Sequence, residues 1–176
     1  MIRKAVLGDA GDLARVHVTS WQSAYRGLVD QSFLDGLDVV ARTAWWERAL
    51  GRQTNLVFVG EVEGRVEGFC LAGSASDEGW GEVFAIYVTP TSWGTGLGRG
   101  LIDAGEVALA AAGWERAMLW VLEGNSRARA FYERQGWMLG KPIRIESIGG
   151  SDLTEVRYEK SLAGLRPARG PLDTSP

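Results

Sequence analysis

The stretch from Glu82 to Ala112 constrains this chain more than any other, because it joins an apolar run to a glycine-studded turn and then to a helical pattern. Val83 to Val88 does not alternate between polar and apolar residues, which is how a central strand buried on both faces reads. Pro90 stops it. The turn is Ser92-Trp93-Gly94-Thr95-Gly96-Leu97-Gly98-Arg99-Gly100. Beyond it Leu97, Leu101, Gly105, Ala108, Leu109 and Ala112 share one helical stripe, with Arg99, Asp103 and Glu106 off it and Gly113 as the stop. Glycines let main chain approach an anion without a Cβ in the way. The helix start leaves its first N–H groups unpaired and carries roughly half a positive charge. A diphosphate can be held there by backbone, with Arg99 as a charge-assisted donor.

The remaining segments surround that unit. Ile2 to Ala5 reads as a short strand; Asp9 or Asp12 can cap a helix carrying Leu13, Val16, Ser20 and Ala24, stopped at Gly27. Gln31 to Leu37 gives a short helical turn, and Val39 to Leu50 a longer helix ended by Gly51. Thr54 to Val59 and Arg65 to Ala72 are strands joined by a Glu63-Gly64 hairpin turn. Ala117 to Leu122 is another strand. Asn125 to Gln135 is a helix capped by Asn125 or Ser126 and stopped by Gly136. Trp137 to Ser147 and Asp152 to Lys160 are closing strands around Gly149-Gly150. The pattern predicts one α/β domain over residues 1–161 and a loose tail over 162–176, where glycine and proline accumulate.

Bulk properties agree with one globular unit. The 176 residues are 45% hydrophobic and 23% charged, enough for a real core. A net charge of −3 makes nucleic acid and anionic membrane poor partners. No uncharged apolar run is long enough to span a bilayer, and no leader pattern opens the chain. The single cysteine, Cys70, cannot form an internal disulfide, which suits a cytoplasmic setting.

Glycine spacing narrows the anion. Neither Gly94 nor Gly96 begins a G-x-G-x-x-G match, and no Lys-Ser or Lys-Thr pair completes a Walker-type loop. What remains is x-x-x-G-x-G over Trp93 to Gly98. A second segment, Asn125-Ser126-Arg127-Ala128-Arg129-Ala130-Phe131-Tyr132-Glu133-Arg134-Gln135-Gly136-Trp137, follows it. Together with Val88-Thr89-Pro90, the pair resembles the GNAT-type N-acetyltransferase superfamily, whose second signature is Asn-x-x-Ala-x-x-Phe-Tyr-x-x-x-Gly-Phe. Trp137 stands for the final Phe, and Trp93 for a frequent Gln or Arg.

The resemblance, over about residues 1–160, implies a mixed, mostly antiparallel sheet flanked by helices, splayed between the strands of Val88 and Val121. It implies acetyl-coenzyme A as cosubstrate and a small-molecule or peptide amine as acceptor. Tyr25-Arg26-Gly27-Leu28 is similar to a stretch of bacterial-type small-molecule members. A homodimer is compatible with it, and a non-catalytic acetyl-coenzyme A sensor is the alternative. The expected cofactor contacts are Ile86, Tyr87, Val88, Trp93, Gly94, Thr95, Gly96, Leu97, Gly98, Arg99, Asn125 and Tyr132.

Amine acetylation poses two proton problems. An alkylamine with a pKa of about 10.4 costs about 4 kcal/mol to present as free base at pH 7. Glu82, at the mouth of the central strand, matches the position of the general base in the histone-acetylating branch, with Glu78 and Asp77 as lesser candidates. The departing thiolate is the second problem. Tyr132 matches the family tyrosine that meets the sulfur, and hydrogen bonding is easier than proton donation, which is uphill by roughly 2 kcal/mol. An oxyanion donor is implied near Tyr87 or Val88. Trp21 and Tyr25, four apart on one helix, are candidates for the acceptor wall or for packing against Trp45 and Trp46. His17 and Cys70 read as structural, and no cluster has metal-ligand spacing.

Overall fold

The computed structural model describes residues 1–52 and 54–165. In chain order these form β1 (Ile2–Lys4), α1 (Ala10–Ala24), α2 (Gln31–Asp35), α3 (Val39–Leu50), β2 (Leu56–Val62), β3 (Arg65–Ser74), β4 (Gly81–Val88), α4 (Leu97–Ala111), β5 (Arg116–Leu122), α5 (Ser126–Arg134), β6 (Met138–Ile148) and β7 (Ser151–Ser161), with short 3-10 turns between some of them. The sheet order is β1-β2-β3-β4-β5-β7-β6. Every neighbouring pair is antiparallel except β4–β5. A mixed, mostly antiparallel sheet flanked by helices is therefore what the chain adopts.

Local chemistry sets the corners. The β2–β3 turn has positive φ at both Glu63 (50°) and Gly64 (77°), the conformation of a twist-matched two-residue hairpin. Asp30 and Asp38 cap α2 and α3 through their side chains, and Asn125 caps α5 by accepting from the Ala128 N–H at 3.1 Å. Asp9 precedes α1 without capping it; its carboxylate is held by Arg3 and the Val6 N–H instead.

Two cores lie on opposite faces of the sheet. One packs α4 and Tyr132 of α5 over Cys70, Val83, Leu119 and Tyr158. The other packs α1 and α3 over Val57, Phe69 and Leu71. In β4 the β3 register skips Phe84, since Leu71 faces Ala85 and Ala72 faces Val83. Phe84 is thus a bulge residue and stands 44% exposed, and such bulges re-aim side chains beside functional sites.

Two expectations need correction. Glu106, placed on the exposed side of its helix by amphipathicity, is 3% exposed. Its carboxylate accepts from Lys160 Nζ of β7 at 2.8 and 2.7 Å and from Trp137 Nε1 at 2.8 Å. Lys160 also donates to the Gln135 carbonyl at 2.7 Å. A second layer of chain covers that flank of α4, so one apolar stripe understates its burial. The tail also begins later than residue 162. Leu162 is fully buried, its N–H donates to the Glu115 carbonyl at 2.8 Å, and Ala163–Leu165 form a 3-10 turn. The rest of the expected tail, 166–176, lies outside the described residues.

Removing one member of a buried pair leaves an uncompensated charge. Glu106→Ala is expected to cost about 3–5 kcal/mol in urea unfolding, and Glu106→Leu combined with Lys160→Met to recover most of it.

Candidate active site

The parallel pair β4–β5 is joined at its start alone. Gly81 faces Ala117 and Glu82 faces Met118, and no further rung is made. From Val83 onward the strands part, and the expected splay between Val88 and Val121 is present. It opens into a cavity of about 820 Å³ whose walls include β4 from Val83 to Val88, Trp120 and Val121 of β5, and the faces of α1 and α5.

Strand alternation identifies the backbone groups that face this opening. The Thr89 N–H donates to the Glu67 carbonyl at 2.9 Å beside β3, so the peptide groups of Val88 and Ile86 point the other way, into the cleft. The carbonyl of Val88 is already engaged, accepting from Trp93 Nε1 at 2.7 Å. Of the two positions expected for an oxyanion donor, Val88 faces the cleft and Tyr87 faces β3.

The glycine turn closes one end of the cavity. Gly94 and Gly96 have φ of 78° and 88°, which other residues adopt only with strain. A Cβ on either would meet no protein atom within 4 Å; both α-carbons look onto open space. Thr95 Oγ1 donates to the Ser92 carbonyl at 2.8 Å and locks the turn. The first N–H groups of α4, at Gly98 and Arg99, have no helical acceptor. Gly94, Gly96, Gly98, Arg99 and Trp93 line the cavity. Thr95 and Leu97 do not: Leu97 turns inward, where its side chain would clash with any Cβ on Gly60.

Asn125 and Tyr132 reach the same cavity from α5. Burial, then Tyr25 and Cys70, pushes the Tyr132 hydroxyl pKa well up, so it remains a donor at any working pH. Arg127 was not anticipated as a site residue. Its guanidinium lies 3.1 Å from the centroid of the Trp93 ring, and it lines the cavity with Arg99 and Arg134. Its place two residues after Asn125 was visible in the sequence, but its stacking on Trp93 depends on two elements distant along the chain. Among the described residues, no carboxylate lines this cavity.

Glu82 sits at the start of β4, as expected, and this is the zipped end of the β4–β5 pair. It is buried, one residue below the first wall residue Val83. Burial raises its pKa most, Arg144 opposes this, and Asp77 and Glu155 add to the rise. Arg144 stacks 4.5 Å from the centroid of Trp120, and Trp120 walls the cavity, so the neighbourhoods of Glu82 and the cleft adjoin.

Tyr25 and Tyr87 join hydroxyl to hydroxyl at 3.0 Å and both line the cleft. Trp21 packs edge-on against Tyr25 at 4.9 Å but lines a second cavity instead, of about 440 Å³, with Trp45, Trp46 and His17. His17 stacks on Tyr87 at 5.3 Å, and burial with nearby Arg42 lowers its pKa to about 3, so it stays neutral. Burial, with Glu106, pushes the Cys70 thiol up to about 12, which leaves it a packing group. Among the described residues, no cluster of His, Cys, Asp or Glu has the placement of metal ligands, and no helix is long and apolar enough to cross a membrane.

A split parallel pair with an anion cradle at its mouth is the architecture of a transferase that admits a long phosphorylated carrier between its strands. Residues 18–137 match the Acetyltransferase (GNAT) family. An uncharacterized N-acetyltransferase of Archaeoglobus fulgidus is 33% identical over 159 residues, covering 85% of this chain and 97% of that protein. The uncharacterized N-acetyltransferase YuaI of Bacillus subtilis is 34% identical over 128 residues, covering 70% and 72%. The fold is shared with the PaiA N-acetyltransferase of Thermoplasma acidophilum, solved in complex with coenzyme A, at a TM-score of 0.69 and 20% identity over 92% of this chain and 98% of that one. The chain belongs to the acetyltransferase (GNAT) family, the enzymes that transfer acetyl groups from acetyl-coenzyme A.

Two measurements probe this geometry. Gly96→Ala places a methyl group in the cradle and costs about 1 kcal/mol of backbone strain; titration calorimetry should show coenzyme A affinity falling about tenfold or more, beyond what the strain explains. For Glu82, a folded pKa above the unfolded value means that the fold favours the protonated form. Stability is therefore lost as pH rises from the ordinary carboxylate range, about 4.3, through the raised value. Glu82→Gln should melt higher than the parent at pH 8 and match it at pH 4; equal melting at both would show that burial imposes no such penalty.

Proposed function

We propose that this chain moves the acetyl group of acetyl-coenzyme A to a primary amine of a small molecule or peptide by direct attack. One observation carries the reading: the outward-facing backbone of Ile86 and Val88 and the protonated Tyr132 hydroxyl line a single cleft that begins at the glycine cradle. Acetyl-coenzyme A would supply a thioester carbonyl and a thiol leaving group. The amides of Gly96, Gly98 and Arg99 would bind its diphosphate, and Arg127, held flat on Trp93, would add charge from the opposite wall.

The Val88 N–H is the donor for negative charge developing on the carbonyl oxygen. Tyr132 meets the sulfur with a hydrogen bond that strengthens as thiolate character grows. Its raised pKa makes complete proton transfer still less favourable than for a free tyrosine, so hydrogen bonding is the role it suits. Glu82 is the proton acceptor for the amine, but at a distance. It stands four residues below Ile86, about 13 Å at strand rise, so the proton reaches it through ordered water. A raised pKa brings this carboxylate closer to the working range of a general base.

Tyr25, joined to Tyr87, forms part of the acceptor wall. A cytoplasmic setting belongs to the same reading, since the lone thiol is buried and no internal disulfide holds the fold. So does a homodimer: edge strand β6 exposes Leu139, Ile143 and Ile145 on one face, an apolar row that a second copy would cover.

Tyr132→Phe should lower turnover about a hundredfold while leaving coenzyme A affinity within about twofold, the mark of an interaction made in the transition state. Glu82→Gln should lower kcat/KM most on the acid side, where more amine needs deprotonation. A pH profile identical to the parent would remove Glu82 from the mechanism. Tight coenzyme A binding with no thiol release from any amine would instead support a sensor.

A further inference from the structure

The second cavity, of about 440 Å³, lies between α1, α3 and the β4 bulge, on the sheet face opposite α4. It shares Phe84, Ala85 and Tyr87 with the cleft. The two spaces therefore meet at the bulge of the strand whose backbone lines the acetyl-transfer cleft. Its walls are rings: Trp21, Trp45, Trp46, His17, Phe84 and Tyr87. His17 is kept neutral, so the rings themselves carry no charge.

The charged groups at this cavity are of one sign among the described residues. Arg48 and Arg52 line it together with Asn55. Both arginines are exposed at its rim, and neither guanidinium has a hydrogen bond or ion pair among the described residues. The indole N–H of Trp46 is buried without an acceptor, and a buried donor calls for one. Among the described residues, no Asp or Glu lines this cavity or the cleft. A polyamine, with several cationic centres, would find rings but no counter-charge. An anionic group would find two free arginines, each able to grip a carboxylate with paired donors.

We propose that the acceptor is an amine built on an aromatic or large apolar body that also carries a carboxylate. The body fills the ring-lined cavity, the carboxylate meets Arg48 and Arg52, and the amine is presented at the Phe84–Ala85 bulge. This rests on the acetyl-transfer reading above and narrows its acceptor. Area buried against rings supplies binding, and the arginine pair, exposed at the cavity rim, adds charge-assisted hydrogen bonds to a carboxylate that a decarboxylated analogue does not make.

The test compares L-phenylalanine, L-tryptophan and 4-aminobenzoate with 2-phenylethylamine, tryptamine, aniline and spermidine in a thiol-release assay with acetyl-coenzyme A. At least one carboxylated aromatic amine should show kcat/KM tenfold or more above its decarboxylated counterpart and above spermidine. The variant Arg48→Ala/Arg52→Ala should raise KM for that substrate at least tenfold. It should leave the decarboxylated amine, the coenzyme A affinity and the melting temperature unchanged. Preference for spermidine, or a KM indifferent to the arginine pair, overturns the proposal while leaving acetyl transfer standing. If no amine releases thiol, acetyl transfer itself fails, and the cavity is read separately. Saturable quenching of intrinsic fluorescence by L-phenylalanine in the coenzyme A-loaded protein, lost in the double variant, would uphold the anionic subsite, and its absence would refute it.

Discussion

The structure turns on two parallel strands that must separate without the sheet falling in two. β4 and β5 are bonded at Gly81 and Glu82 alone, so the strand ends beyond give up the hydrogen bonds that a continuous ladder would make. Buried backbone groups left unpaired cost about 1–3 kcal/mol each. The parted strands are each held from their outer side, β4 by β3 and β5 by β7. The halves are tied by the shared apolar core under α4, by Arg157 of β7 pairing with Asp77 before β4 at 2.8 Å, and by the ion pair on the α4 face. α4 lies across β2, β3 and β4, while Lys160 belongs to β7 and Trp137 to the turn leading into β6. Glu106 receives both, so one carboxylate joins the two sides of the split. Lys160 also holds the last turn of α5 through the Gln135 carbonyl, which helps fix the helix that carries Tyr132.

This division explains what could be read from the sequence. The glycine turn, the apolar β4 and the Asn125-to-Trp137 segment are local: their chemistry is stated by neighbouring residues, and a positive φ at Gly96 needs no distant partner. The two-residue hairpins are local too, at Glu63-Gly64 and Gly149-Gly150. Glu106 was misplaced because helical periodicity assumes one covered face, and the lysine that compensates its burial lies 54 positions away. Leu162 was misread for a similar reason, since its anchor is the Glu115 carbonyl across the molecule. Arg127 was legible as a residue but not as a partner of Trp93. Glu82 was legible as the start of the central strand, but its distance from the cleft was not, because pattern alone does not say at which rung a parallel pair stops.

The second cavity was the least legible part. Its rings come from α1, α3 and β4, so no single segment carries its signature, and eight tryptophans in one chain are compatible with ordinary core packing. Only assembly shows that Trp46 is wholly buried against Phe69 while Trp45 stands at 38% exposure beside it. The bulge at Phe84 links this space to the cleft. An uninterrupted β3–β4 ladder would set each β4 side chain directly opposite a β3 partner. The skipped rung pushes Phe84 out and carries the rim of one cavity into the other.

Burial supplies chemistry as well as stability. The same desolvation keeps Tyr132 protonated, holds His17 neutral, silences Cys70 and biases Glu82 toward its protonated form. Of these, only Glu82 has its pKa raised from below neutrality, so it is the one whose change of state falls nearest working pH. The positive groups follow the opposite rule, standing at the cavity margins where solvation is retained: Arg99 beside the glycine turn, Arg127 on Trp93, Arg48 and Arg52 at the end of α3. On the proposed reading, the carboxylate that takes a proton is drawn inward, and the guanidinium groups that would meet an anion are left at the rim. That separation would let one sheet hold an anionic carrier on the α4–α5 side and a ring-lined chamber with a cationic rim on the other, with β4 as the wall they share.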